Sequence, residues 1–151
     1  MLTYQELDIE NDAWGHAYEV HLPEVLFNMK DAQGLLDQLC LQLGLTPLDG
    51  KWDSIPFEKA SRLLKNCLTY DIAYSSSEIS DSTTVDHVHN RILSHLDVQD
   101  IEYAVCNCFG NPWEQIGNGY SFNSLTQHTF DIGIAIFDSQ KLIFAYFMSE
   151  D

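Results

Sequence analysis

An α+β fold, with a mainly antiparallel sheet from the C-terminal half and about three helices packed on it, follows from three patterns in the sequence. Helix-spaced apolar residues fill the first two thirds of the chain. A strictly alternating run covers 130–137, and a continuously apolar run follows at 142–148. Helices first and strands later argue for α+β over a doubly wound parallel sheet. The length of 151 residues fits one domain, 1–151. A chain of that size buries about 68–70% of its unfolded surface and needs neither disulfide nor metal to hold a core.

The elements follow in order. Residues 18–22 alternate loosely and read as a strand. Residues 31–43 read as a helix: Leu35, Leu36, Leu39 and Leu43 share a face, Asp31 is placed to cap it and Gly44 to stop it. A second helix begins near Pro56 with Ser54 as its cap, and Phe57, Ala60, Leu63, Leu64 and Cys67 form its stripe. Residues 69–74 read as a strand, and 75–84 as a polar loop. A third helix is predicted over 84–96, with Val85, Val88, Ile92 and Leu96 inward. Residues 101–109 are strand-like up to Gly110-Asn111-Pro112, and 117–124 are rich in turn residues. In 130–137, Phe130, Ile132, Ile134 and Ile136 share one face by period-2 spacing. Asp138-Ser139-Gln140 then turns the chain into 142–148. That last strand is apolar on both faces and is expected inside the sheet, under helices.

The formal charge of −16, from 23 acids and 7 bases, is unevenly placed. Residues 1–50 hold nine acids and one base, and residues 51–65 hold four of the seven bases. Between Arg91 and Lys141 there is no base, but there are Asp97, Asp100, Glu102, Glu114, Asp131 and Asp138. Such carboxylates leave a net field instead of neutralising one another's surroundings. The balance argues against direct binding of nucleic acid phosphates, which calls for clustered Lys and Arg. The start of the chain lacks the pattern of a secretory signal, and no apolar run approaches the ~18–20 residues of a membrane helix. The expected location is therefore cytoplasmic.

Asp97, Asp100 and Glu102 fall within six residues. Trp113, Glu114 and Tyr120 follow in a turn-rich stretch. Acids steer and bond Lys and Arg, and aromatics anchor, so these six residues are the candidate partner-binding set. The ordinary alternative is a solvated acidic face with aromatics folded back on the core.

No motif names a reaction. Cys40, Cys67, Cys106 and Cys108 sit in apolar stretches and read as reduced, buried thiols. Cys106 and Cys108 form C-x-C, which suits a redox or metal pair, but no second C-x-C or C-x-x-C completes a zinc set. His87 and His89, two apart on a predicted helix, point to different sides. Cys106 or Cys108, His128 and Asp131 assemble a nucleophile–base set only on paper. No cofactor, metal site or catalytic residue is assigned.

An acidic α+β chain of this size, with loop aromatics, resembles the immunity proteins of bacterial contact-dependent growth inhibition and polymorphic toxin systems. The segment Ser124-Leu125-Thr126-Gln127-His128-Thr129-Phe130-Asp131, running into the apolar hairpin and the ending Ser149-Glu150-Asp151, is similar to the tails of some of them. The resemblance implies a cytoplasmic protein that binds one cognate toxin domain, often a basic nuclease, and blocks its active site or an essential surface. It transfers no site residues. Three other readings stay open: a small cytosolic enzyme with a Cys/His/carboxylate site, an acidic mimic of nucleic acid antagonising a DNA-binding protein, and an assembly subunit.

Overall fold

The computed structural model describes residues 1–9, 13–74, 77–109, 113 and 121–150. Two apolar strands organise it. β7 (Phe130–Phe137) and β8 (Lys141–Ser149) pair antiparallel along their length, from Phe130 opposite Ser149 to Phe137 opposite Leu142. β2 (Gly15–His21) pairs with the other side of β8, and β1 (Tyr4–Leu7) with β2. β4 (Tyr103–Cys106) pairs with β7, and the two-residue β3 (Asp53–Ser54) with β4. The order is β1-β2-β8-β7-β4-β3, antiparallel throughout. A small second sheet joins β5 (Cys108–Phe109) to β6 (Ser121–Phe122).

The main sheet is covered on both faces, which is why β8 is apolar on both. Ile132, Ile134 and Ile136, with Ile143, Ala145 and Phe147, pack in one core with residues of α2 (Phe57–Thr69) and α3 (Ser82–Leu93). Ala135 and Phe137, with Leu142, Phe144 and Tyr146, pack in a second core with Leu35, Leu36 and Leu39 of α1 (Met29–Gln42). Leu125 reaches across β7 at Gly133. A Cβ there would overlap the Leu125 Cδ1 atom and lie 3.4 Å from the Phe144 ring.

Several boundaries differ from the sequence expectation, each for a local reason. Asn28, not Asp31, caps α1, accepting from the Asp31 N–H at 2.9 Å, while Asp31 accepts from the Phe27 N–H at 3.1 Å. Ser54 does not cap α2: it is drawn into β3 opposite Val105, and Pro56 stands at the cap without a side-chain acceptor. Residues 69–74 are not a strand. α2 runs through Thr69, Tyr70 makes a single bridge to Glu78, and the Asp71 carboxylate turns the chain by accepting from the Ala73 and Tyr74 N–H groups. α3 starts at Ser82, capped by Asp81, and ends at Leu93, although Leu96 is still buried. The strand expected over 101–109 breaks at Asn107. β1 was not anticipated: its residues are largely exposed, so it carries no apolar alternation.

No helix among the described residues is long and apolar enough to cross a membrane.

Candidate interaction face

The β7–β8 turn is where the predicted acids meet. After α3, Leu96 anchors the chain in the core, and Asp97 caps a short 3-10 turn, Val98–Asp100, by accepting from the Gln99 N–H at 3.1 Å. The Asp97 N–H in turn donates to Asp138 Oδ2 at 2.9 Å. Asp138 is buried just past β7, and its other oxygen accepts from the Gln140 and Lys141 N–H groups at 2.8 and 2.6 Å. An aspartate that binds the backbone two and three residues on is a standard turn-former, so this carboxylate closes the hairpin and docks the 3-10 turn on it. Asp100 Oδ2 accepts from both the N–H and the hydroxyl of Ser139. The Glu102 N–H donates to the Phe137 carbonyl at 2.8 Å.

The chain thus holds Asp97, Asp100, Glu102 and Asp138 at one end of the sheet. The side chains of Asp97 and Glu102 are exposed, and Asp100 is half-buried. Val98, 46% exposed, adds an apolar side chain between them.

Lys141 and two imidazoles are engaged by Glu19 instead. Glu19 of β2, only 8% exposed, receives His95 Nδ1 at 2.5 Å, His21 Nε2 at 3.6 Å and Lys141 Nζ at 3.9 Å. Among the described residues, no ion pair reaches Asp97, Asp100, Glu102 or Asp138. A group of like charges without counter-charges projects its field into solvent.

The other members of the predicted set do not join this face. Trp113 is half-buried against the core under α2 and α3, its ring centroid 6.1 Å from that of Tyr70. Tyr70 lines a small cavity with Phe147 and Met148, at the far end of β8 from Lys141. At ~3.3 Å per residue, β8 separates Lys141 from Phe147 and Met148 by roughly 20 Å. Trp113 therefore packs toward that end of the molecule, apart from Asp97, Asp100 and Glu102. Glu114 and Tyr120 lie outside the described residues. Asp138, a turn residue in the sequence pattern, joins Asp97, Asp100 and Glu102 through the Asp97 N–H. Its position at the start of a polar turn between two apolar runs is the signal that finds it.

The nucleophile–base set of Cys106 or Cys108, His128 and Asp131 is not assembled. Asp131, fully buried, accepts from Asn107 Nδ2 at 2.7 Å, from the Leu125 and Thr126 N–H groups, and from the Thr126 hydroxyl at 2.9 Å. His128 Nδ1 lies 2.6 Å from Glu150 and its ring packs edge-on to Trp14. Cys108 donates to the Cys106 sulfur. A cleft of about 330 Å³ beside His128 is lined by Gly44, Gln127 and Tyr146 among others, but not by Asp131 or either cysteine.

His87 is exposed and His89 buried, with His89 Nε2 3.0 Å from the Ser61 carbonyl. Burial holds the His89 imidazole below its ordinary pKa. Among the described residues no group of three or more His, Cys, Asp or Glu side chains is arranged to hold a metal ion.

No family model, curated protein or solved structure matches this chain.

Proposed function

We propose that this protein is an immunity-type inhibitor: a cytoplasmic chain that binds one cognate basic toxin domain, most concretely a nuclease, and occludes its active site or an essential surface. The observation that carries the reading is the turn-end group Asp97, Asp100, Glu102 and Asp138, left without ion-pair partners among the described residues while Lys141, His95 and His21 converge on Glu19. A partner's Lys and Arg side chains supply the missing counter-charges through charge-assisted hydrogen bonds. The exposed carboxylates of Asp97 and Glu102 steer the encounter, and Val98 adds apolar contact. The same carboxylates repel the phosphates of a nuclease substrate, so occlusion is electrostatic as well as steric.

The test is co-expression with the product of the adjacent gene, followed by co-purification, a nuclease assay and a growth assay. A stable complex, suppressed nuclease activity and restored growth are expected. No complex and no growth rescue would overturn the reading. Weak binding to many basic proteins, lost steeply as salt rises, would instead identify a nucleic-acid mimic.

A further inference from the structure

The C-x-C pair has a geometry that neither the fold nor the proposed inhibitor role requires. On a regular strand the Cα atoms of residues two apart are about 6.6 Å apart and their side chains project in parallel. Here the Cys106 and Cys108 sulfurs lie 3.6 Å apart. The chain leaves the main sheet after Cys106 and enters the small sheet at Cys108, bending at Asn107 between them.

Asn107 is fully buried and holds that bend. Its Nδ2 donates to the Asn123 carbonyl at 3.0 Å and to Asp131 Oδ1 at 2.7 Å, its Oδ1 accepts from the Gly133 N–H at 2.8 Å, and its own N–H donates to the Gly133 carbonyl at 3.1 Å. With the backbone pinned on one side, both thiols turn to the other, into the core under α2 and α3.

We propose that Cys106 and Cys108 are a redox-modification site, in which a hydroperoxide-class oxidant closes a disulfide across Asn107. The Cys106 thiolate attacks the peroxide and the O–O bond breaks. The released hydroxide takes up a proton as water, leaving a sulfenic acid. The Cys108 sulfur, giving up its proton, then attacks the Cys106 sulfur and breaks the S–O bond, releasing a second water. The two thiols lose two electrons and the peroxide gains them.

The Cys106 thiol reaches the Cys108 carbonyl at 3.0 Å, and only Cys106 has a sulfur that accepts a hydrogen bond from the other thiol. The Cys108 thiol donates to the Cys106 sulfur, which lowers the Cys106 pKa, whereas this same bond and burial raise that of Cys108. Burial also raises the other two thiols, Cys67 well above its ordinary value and Cys40 to about 12, so neither competes as a nucleophile. Access comes through the small sheet, in which Cys108 pairs with Phe122 and Phe109, 47% exposed, with Ser121. Exposed sheet segments of this kind open locally at lower cost than the core.

The test treats the reduced, folded protein with hydrogen peroxide, then unfolds it in N-ethylmaleimide and maps the thiols by mass spectrometry. The expected result is loss of two of the four alkylatable thiols, with the disulfide inside the one peptide that carries Cys106 and Cys108. Cys40→Ser and Cys67→Ser should behave as the parent does, and Cys106→Ser should form no disulfide. Four thiols still alkylated, a sulfinic acid at Cys106 without a disulfide, or a bridge to Cys67 would each overturn the proposal. The parent protein alone decides the matter if a variant fails to fold.

Discussion

Two buried aspartates bracket the central strand β7, Asp131 near its start and Asp138 just past its end, and they serve different ends of the molecule. Both accept backbone N–H groups. Asp131 accepts from neutral donors, among them the Asn107 amide, the Leu125 and Thr126 N–H groups and the Thr126 hydroxyl. Nearby, even the exposed Glu150 is engaged, by the Thr129 hydroxyl and by His128, both at 2.6 Å. Around Asp138 the chain instead gathers Asp97, Asp100 and Glu102, while Lys141 and the His95 imidazole turn to Glu19. One end uses its carboxylates to hold loops together. The other also uses Asp138, Asp97 and Asp100 for that, but brings no ion-pair partner to them among the described residues and leaves Glu102 facing water. Acidic composition alone does not distinguish these roles, and the supply of donors does.

The largest effect should separate the two aspartates. Asp131→Ala leaves buried N–H groups of Leu125, Thr126 and Asn107 without their acceptor and should cost about 3–4 kcal/mol, read from urea unfolding. Asp131→Asn keeps one acceptor oxygen and should cost less. Asp138→Ala should cost about 1–2 kcal/mol, because water can reach the freed N–H groups next to exposed Gln140. If the two alanine variants lose equal stability, the comparison fails.

Replacing the exposed acids by Asp97→Lys together with Glu102→Lys should cost about 1 kcal/mol of stability, mostly from the lost Asp97 cap. The same pair should slow association with a basic partner by on the order of 10-fold at low salt, measured by stopped flow. An unchanged association rate would remove these residues from the interface.

The smallest effect concerns pH at the Asp131 end. Hydrogen bonds from Thr129 and His128 hold the Glu150 carboxyl below its ordinary value of 4.5. Its contribution to stability is therefore present above pH 4.5 and is lost as pH falls through the folded-state value. An NMR titration should find Glu150 protonating below 4.5, and Thr129→Val should move it back upward. No such displacement is expected for Glu150 if the Thr129 contact is absent in solution.

Much of this was legible in the sequence, for reasons that name particular residues. The isoleucines at 132, 134 and 136 repeat with the period of a strand, and Leu35, Leu36 and Leu39 with that of a helix. Both patterns arise from burial on one face, and both elements formed. β1 was illegible because its side chains are mostly exposed and need no alternation. Residues 69–74 misled because Tyr70 and Ile72 satisfy the pattern of a strand, yet Asp71 captures the following backbone N–H groups and turns the chain. At the candidate face, the clustering of Asp97, Asp100 and Glu102 was visible along the chain. Their meeting with Asp138 and Ser139 was not, since it spans about forty residues and exists only when the hairpin folds back. Trp113 shows the same limit in reverse: near the acids in sequence, it packs toward the other end of β8.

The sequence by itself determined the α+β class, the apolar hairpin at its centre and the excess of acids over bases, since each depends on composition or on periodicity along a single element. Only the tertiary structure decided which carboxylates became structural and which were left facing solvent. That choice depends on which backbone N–H groups and which cations arrive beside each carboxylate, and they come from distant parts of the chain: Asn107 to Asp131, Asp97 to Asp138, and His95 and Lys141 to Glu19.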